Sequence, residues 1–170
     1  CSRGSLNWNR RPIRASLRRL SILRDPVHGD IELTRDELRL VDTAEFQRLR
    51  GIKQLGSAAL VYPGSVHTRF EHSIGTLHVC DRLLDACNKN ASKDPAGCHR
   101  VTDDERRVLR AAALLHDVTH IPYGHNIEDQ TGLLPRHDLP ERFEAVLGDT
   151  ELGEQLDHQD LRNDVLAVLT

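Results

Sequence analysis

Residues 102–120, TDDERRVLRAAALLHDVTH, decide the fold of this chain. Thr102 and Glu105 have the spacing of a capping box, in which the hydroxyl accepts from the backbone N–H three residues on and the glutamate reaches back, so a helix begins here. The second half of this helix is almost wholly apolar, which predicts that its last turn lies inside the protein. The sequence therefore carries two polar side chains, His116 and Asp117, into a core.

A histidine and an aspartate in a core need partners, because a buried charge without compensation costs several kcal/mol. Taken alone, the dipeptide also fits a helix C-terminus, where the imidazole caps carbonyls and the aspartate begins a turn. Of the ten histidines, however, five fall in two short segments that each adjoin an apolar helix: His67, His72, His116, His120 and His125. Two imidazoles with one carboxylate leave coordination positions open, which suits one catalytic divalent ion (Mn, Fe, Ni, Zn or Mg) rather than a closed structural zinc site.

Two further helices are predicted on the N-terminal side of this motif. The first begins at the N-cap Asp42-Thr43 and ends near Gly56, with its basic side chains pointing away from the apolar face. The second begins within 67–72 and runs to about Cys87, followed by a polar connection over 88–99. Its predicted buried stripe is Ile74, Leu77, Val79, Leu83 and Leu84.

Shorter elements are predicted at both ends of the chain. Two β-prone runs, 20–23 and 31–33, flank a Pro- and Gly-containing turn and indicate a small hairpin. Pro140 opens a helix that ends at Gly148. The apolar spacing after Leu161 starts another helix that stops abruptly at Thr170, so the chain is expected to be truncated at its C-terminus. The fold class is all-α, a helical bundle with one small N-terminal hairpin.

Composition agrees with a helical, intracellular protein. Hydrophobic residues make up 38% of the chain but aromatic residues only 4%, so the core is built from small aliphatic side chains, which favours helices. The four cysteines form no C-x-x-C pair, and Cys80 and Cys87 are expected to act as small core residues in a reducing compartment. No apolar segment is long enough to span a bilayer. A cytoplasmic location without membrane contact is expected.

The N-terminal residues 1–24 form a separate basic arm with seven arginines and no acidic residue. Such an arm is typical of nucleic-acid contact or of a targeting peptide. A solvated tail with a short amphipathic stretch at Ile13, Leu17 and Leu20 explains the composition at least as well. Trp8 is the one aromatic residue in this arm, so the arm has few side chains that could stack on bases. The main domain is predicted to span 25–170.

Two features outside the His-Asp pair suggest chemistry on phosphates. His125 and Glu128 are three residues apart, so on one helical turn the carboxylate can orient the ring and raise its basicity, which makes a general acid/base pair. Arg69 can fork onto a phosphate. Ordinary alternatives are a surface contact for the pair and a salt bridge to an acidic neighbour such as Glu71 for the arginine.

An ordered series of motifs resembles the HD superfamily of metal-dependent phosphohydrolases, and within it the deoxynucleoside triphosphate triphosphohydrolases. The similarity covers about residues 22–129. The matching segments are Asp25-Pro26-Val27-His28-Gly29 with Ile31-Glu32-Leu33, Asp42-Thr43, Phe46-Gln47-Arg48-Leu49-Arg50, Ile52-Lys53-Gln54-Leu55-Gly56, Tyr62-Pro63-Gly64, His67-Thr68-Arg69-Phe70-Glu71-His72-Ser73 and Leu115-His116-Asp117.

The resemblance implies a role for each matching position. It makes His72, His116 and Asp117 metal ligands. The positions that it implies for substrate binding are Arg69 on a phosphate, Gln54 and Leu55 near the sugar, and Tyr123. The resemblance also implies four catalytic residues. They are His120 and His125 along the phosphate site, Glu128 as their acidic partner, and His137 as a further active-site histidine.

Two positions depart from the family pattern. The family usually has His-Asp-x-Gly-His, whereas Thr119 stands here in place of the glycine. The family's fourth metal ligand is an aspartate on a later helix, and the remaining aspartates Asp157, Asp160 and Asp164 match no such motif. Either the ligand lies on a continuation of the chain or the site is partial.

The resulting prediction is a metal-dependent phosphohydrolase acting on nucleotides, with a dNTP cleaved to deoxynucleoside and triphosphate as the leading reaction. One alternative is a non-catalytic module that binds nucleotide or a partner chain, which Thr119 and the unmatched fourth ligand favour. Another is a phosphodiesterase or nucleotidase with the same metal chemistry. The resemblance also implies a homo-oligomer.

Overall fold

The computed structural model describes residues 21–129 and 133–170. Most of the predicted basic arm, with its amphipathic stretch at Ile13, Leu17 and Leu20, therefore lies outside the described residues. The last four residues of that arm, 21–24, belong to the first strand of the fold.

A two-stranded antiparallel hairpin opens the described chain, as the two β-prone runs predict. Strand β1 (Ser21–Asp25) pairs with β2 (Gly29–Leu33), with Ser21 opposite Leu33 and Asp25 opposite Gly29. The Asp25 carboxylate accepts from two backbone N–H groups in the turn, and Gly29 has a φ of 77°, a conformation that favours glycine. Alternate residues of β2 are buried, so one face of the hairpin packs on the helices.

Helices make up most of the remaining described chain. They are α1 (Arg35–Val41), α2 (Ala44–Gln47), α3 (Arg69–Lys93), α4 (Asp103–Leu115), α5 (Gly124–Glu128), α6 (Pro140–Leu147), α7 (Glu151–His158) and α8 (Arg162–Leu169). Two 3-10 turns, Arg48–Gly51 and Gly56–Leu60, lie between α2 and α3. The predicted all-α class with a small hairpin is confirmed.

The core forms around α4, which packs against α3 on one side and α8 on the other. Its buried residues include Val108, Ala111, Leu114 and Leu115, so the last turn of α4 lies inside the protein as predicted. Each fully buried leucine contributes roughly 1.5–3 kcal/mol. Because the core holds the ends of α3 and α4 in place, it also fixes the side chains that these ends carry.

Several boundaries differ from the prediction. The helix expected from Asp42 to near Gly56 ends as an α-helix at Gln47, because Ile52 is extended and Lys53 pairs with Thr68 across a β-bridge. Helix α3 continues to Lys93, six residues beyond the predicted end at Cys87.

The buried face of α3 is also narrower than predicted. Val79 and Leu83 are 43% and 60% exposed, while Ile74, Leu77 and Leu84 are buried. Cys87 is exposed and Cys80 is half-buried, so the expectation that both are core residues is wrong for Cys87. Within the described ranges, no helix has both the length and the apolar character that a membrane crossing requires.

Candidate active site

The imidazoles of His72 and His116 meet the carboxylate of Asp117 where α3 begins and α4 ends. The Thr68–Glu71 capping box starts α3 and thereby fixes His72 in its first turn. The Nε2 atoms of the two histidines are 3.2 Å apart; that of His72 lies 3.6 Å from Asp117 Oδ2, and that of His116 lies 3.5 Å from Asp117 Oδ1. The structure thus brings together the three residues that the sequence analysis named as metal ligands.

These separations suit one divalent ion. With metal–ligand bonds of about 2.0–2.2 Å, neighbouring ligand atoms around a tetrahedral or octahedral ion are about 3.0–3.5 Å apart. His116 Nδ1 donates to the Ala113 carbonyl at 2.8 Å, which leaves the Nε2 lone pair directed at the site. Burial lowers the pKa of His72, although Asp117 opposes the shift, so this ring also offers a lone pair near neutral pH.

Asp117 is buried, and its charge is compensated from several sides. Arg69 is 3% exposed and donates to Asp117 Oδ2 at 2.6 Å. Burial alone would raise the pKa of the carboxyl, but the His120 ring and the charges of His116 and Arg69 hold the pKa of Asp117 well below its usual range. The carboxylate is therefore ionised whenever the protein is folded at physiological pH.

A second cluster of His120, His125, Glu128 and His137 adjoins the first through His120. The Nε2 atom of His120 lies 3.3 Å from Asp117 Oδ1, and the His120 ring stacks on that of His137 with centroids 3.7 Å apart. Glu128 Oε2 accepts from His137 Nδ1 at 2.8 Å and lies 3.7 Å from His125 Nδ1. The structure brings all four residues into one cluster.

Exposure differs sharply within this second cluster. The side chain of His125 is 61% exposed, whereas those of Glu128 and His120 are 2% and 1% exposed. Burial alone would raise the pKa of Glu128. The hydrogen bond from His137 and the neighbouring imidazoles outweigh this effect, so the pKa of Glu128 is lowered. Burial lowers the pKa of His120. The cluster therefore combines an ionised carboxylate, a neutral inner ring and one imidazole at the surface.

The turn that follows His116 is held by two arginines that the sequence analysis did not identify. Arg48 donates to the carbonyls of Val118 and His120, the latter at 2.6 Å, and Arg142 donates to the carbonyl of Thr119 at 2.6 Å. Arg48 lies off the apolar face of its helix, as predicted, and its guanidinium reaches across to this turn. Its presence in a motif shared with the resembling family was the signal available.

Two small features let the second cluster form. A Cβ on Gly124 would lie 2.7 Å from His120 Nδ1, so only glycine permits this close approach. Tyr123, just before it, has a φ of 59°, an uncommon conformation for a residue other than glycine. This left-handed residue turns the chain into α5, which carries His125 and Glu128.

The remaining predicted substrate-binding residues lie beside this region. Gln54 donates its backbone N–H to the His67 carbonyl at 3.1 Å. It follows Lys53, which pairs with Thr68 in a β-bridge, so Gln54 lies beside the start of α3. Its side-chain oxygen is buried and has no hydrogen-bond partner within the described residues. Leu55 and Tyr123 are 52% and 56% exposed, and Tyr123 lies against Gly56.

The downstream aspartates do not join the metal-ligand group. Asp157 pairs with Arg162 at 2.7 Å on the opposite side of the α7–α8 connection. Among the residues that the structure describes, Asp157, Asp160 and Asp164 belong to none of the histidine and carboxylate clusters with metal-binding spacing.

A comparison with protein families agrees with the fold and the placement of these residues. The HD domain model matches residues 69–169, which include α3, the His-Asp pair and all the helices that follow. The chain belongs to the HD domain family.

Proteins from several organisms are similar in sequence to this chain. The deoxynucleoside triphosphate triphosphohydrolase SAMHD1 of Danio rerio is 40% identical over 137 residues, covering 81% of this chain and 21% of that protein. The Homo sapiens protein of the same name is 38% identical over 136 residues, 79% of this chain and 21% of that protein. An uncharacterized protein of Bacillus subtilis is 39% identical over 137 residues, 79% of this chain and 29% of its own length. The chain spans less than a third of each of these relatives.

Proposed function

We propose that this HD domain is the catalytic core of a metal-dependent phosphohydrolase that acts on nucleotides and converts a dNTP to deoxynucleoside and triphosphate. The observation that carries the proposal is the convergence of His72, His116 and Asp117 to 3.2–3.6 Å beside a second cluster with one exposed imidazole. A structural metal site would have no use for the second cluster.

The first group of residues prepares the site for a phosphate. His72, His116 and Asp117 would hold a divalent cation, which supplies Lewis-acid polarisation of phosphoryl oxygens. The guanidinium of Arg69 keeps Asp117 ionised through the 2.6 Å contact and adds positive charge where a polyphosphate would lie. Because Arg69 is buried, this charge acts in a poorly solvated environment, where its effect on an anion is strongest.

The second group manages a proton. His125 is exposed and can reach a substrate atom, while Glu128 is buried and ionised and orients the rings of His125 and His137. His120, stacked against His137 and in contact with Asp117, fills the space between the two groups. We assign proton transfer to His125 and assign orientation of that ring to Glu128.

The substrate class rests on the relatives and on the residues around the site. The Danio rerio and Homo sapiens relatives described above carry the name deoxynucleoside triphosphate triphosphohydrolase and are 40% and 38% identical to this chain. Gln54 has a buried amide oxygen with no hydrogen-bond partner in ranges 21–129 and 133–170, and Leu55 and Tyr123 offer exposed apolar surface nearby. An amide beside apolar surface is suited to a sugar hydroxyl beside a sugar or base face.

Product analysis tests this proposal. Each dNTP is incubated with the protein and Mn²⁺, and the products are separated by anion exchange and identified by phosphorus NMR. Equal amounts of deoxynucleoside and inorganic triphosphate are expected. Monophosphate with pyrophosphate would show cleavage between the α- and β-phosphates and contradict the triphosphohydrolase reaction. Release of orthophosphate from deoxynucleoside monophosphates alone would indicate a nucleotidase, and metal binding without turnover of any phosphate ester would favour a non-catalytic HD module.

A further inference from the structure

Thr119 lies in the turn that follows His116 and Asp117, called the His-Asp turn below. It stands at the position where the HD motif usually has glycine, and its side chain makes a hydrogen bond to a later segment of the chain. The hydroxyl is fully buried and donates to the backbone carbonyl of His137 at 2.6 Å. We propose that Thr119 is a positioning residue. It attaches the segment 133–139, which carries His137, to the His-Asp turn and so holds the His137 ring in the second cluster.

The segment is attached to Thr119 at two points. Besides the hydroxyl contact to His137, the Thr119 carbonyl accepts from Arg142 on α6 at 2.6 Å. One residue thus binds the chain on both sides of the start of α6. Two contacts fix the orientation of a segment as well as its distance, which a single contact does not.

Apolar burial holds the segment only weakly. Residues 133–136 and 138–139 are exposed, and Leu133 and Leu134 are 64% and 40% exposed, so apolar burial contributes little to its position. His137 is the exception, with its side chain 15% exposed. The polar contacts of Thr119 and Arg142 therefore hold the backbone of this segment, and with it the position of His137.

The position of His137 matters for its neighbours. Its Nδ1 donates to Glu128 at 2.8 Å, and its ring stacks on His120 at 3.7 Å. If the segment moved away, Glu128 would lose its shortest hydrogen bond and His120 its stacking partner. In this way Thr119 acts on the second cluster without touching a substrate.

Nothing in the backbone opposes a side chain at position 119. Thr119 is not among the described residues with positive φ, so the conformational freedom of glycine is not required there. Glycine at this position would lack the hydroxyl and could not make the contact to His137. The replacement therefore adds an attachment point to this chain.

The inference deepens the proposed function, because His137 belongs to its catalytic group, but its test does not require turnover. The measurement is the NMR signal of the proton on His137 Nδ1, recorded on nitrogen-15-labelled protein with Zn²⁺. The signal is assigned by its loss in His137→Gln. A proton shared with a buried carboxylate is expected to resonate downfield and to exchange slowly with water.

Thr119→Val keeps the shape of the side chain and removes the donor, and Thr119→Ser keeps the donor. We expect the His137 signal to broaden or exchange at least tenfold faster in Thr119→Val and to return in Thr119→Ser. The matched control is Thr43→Val, because Thr43 is also buried and its hydroxyl donates to the Leu40 carbonyl at 2.7 Å at the end of α1. This control is expected to leave the signal unchanged.

Arg142→Gln, which leaves the interior around Thr119 intact, gives an independent arm in case Thr119→Val does not fold. It is expected to speed exchange of the same proton. An unchanged signal in every folded Thr119 and Arg142 variant would overturn the proposal. If the protein turned over no nucleotide, the signal would still decide whether Thr119 positions His137, so the two proposals fail separately.

Discussion

The Nε2 atoms of His72 and His116 lie 3.2 Å apart although the residues are 44 positions apart in the sequence. His116 uses its Nδ1 to donate to Ala113, so the lone pair of its Nε2 is directed at the His72 ring. Burial lowers the pKa of His72, so this ring is neutral near neutral pH and able to act as a ligand. Two neutral imidazoles this close to the Asp117 carboxylate form a donor set that suits a divalent cation.

Arg69→Ala is expected to destabilise the metal-free protein by about 3–5 kcal/mol, because the buried carboxylate of Asp117 would lose its closest compensating charge. Urea unfolding measures the loss. The control is Arg24→Ala, which removes an equally short ion pair with Asp30 at the surface, where the cost is expected to be about 1 kcal/mol or less. Equal effects of the two substitutions would contradict the assigned role of Arg69.

Gly124→Ala is expected to disrupt the second cluster, because the added Cβ would lie 2.7 Å from His120 Nδ1. We expect a stability loss of about 1–3 kcal/mol and a turnover reduced at least tenfold. Gly51→Ala serves as the control, since no atom lies within 4 Å of a Cβ there. Turnover unchanged in Gly124→Ala would show that the observed packing of His120 is not needed.

Arg48→Ala is expected to loosen the turn after His116, because two backbone carbonyls would lose a charged donor. Hydrogen bonds to charged groups contribute about 1.5–3 kcal/mol, so a stability loss of this order is expected in thermal unfolding, with weaker metal affinity. Arg50→Ala, two residues away, removes a guanidinium that contacts Gln47 and the Phe70 ring instead. Metal affinity that falls equally in both variants would argue against a specific role of Arg48.

The helical class and the hairpin could be predicted because they follow from apolar periodicity and turn residues that are local in the chain. The grouping of His72, His116 and Asp117 was implied by the resemblance to the HD superfamily. The sequence analysis did not predict α1 or α7. The Thr34–Glu37 capping box was a readable signal for α1. The early end of α2 could not be predicted from local sequence, since it depends on the β-bridge between Lys53 and Thr68.

Contacts between residues that are far apart in the sequence could not be predicted. The bonds from Arg48 to the His-Asp turn and from Thr119 to His137 join residues 72 and 18 positions apart, and no local pattern announces them. Thr119 appeared only as a departure from the family motif. Its partner became evident from the packing of the following segment.

The stability of the metal-free protein is expected to fall in mild acid. Burial lowers the pKa of His120 below the value of about 6.5 that it has in the unfolded chain, so between the two values the unfolded state binds more protons. The contribution of His120 is therefore complete above about pH 6.5 and is lost as the pH falls through its folded pKa. The pKa of His72 shifts in the same direction.

Thermal unfolding between pH 7.5 and pH 5.5 measures this effect in the metal-free protein. His120→Asn is expected to flatten the dependence, and His99→Asn, which replaces an exposed histidine paired with Glu105, is the control. A dependence of the same steepness in His120→Asn and the parent would contradict the buried neutral ring.

Metal content tests the central claim most directly. The parent, His72→Ala, His116→Ala and the control His78→Ala, which lies on α3 outside the ligand group, are dialysed against Mn²⁺ and analysed by mass spectrometry, with circular dichroism as the check on folding. We expect about one ion per chain in the parent and in His78→Ala, and at least a tenfold loss of affinity in His72→Ala and His116→Ala. A parent that binds no metal, or ligand variants that bind it as tightly as the parent, would contradict this expectation.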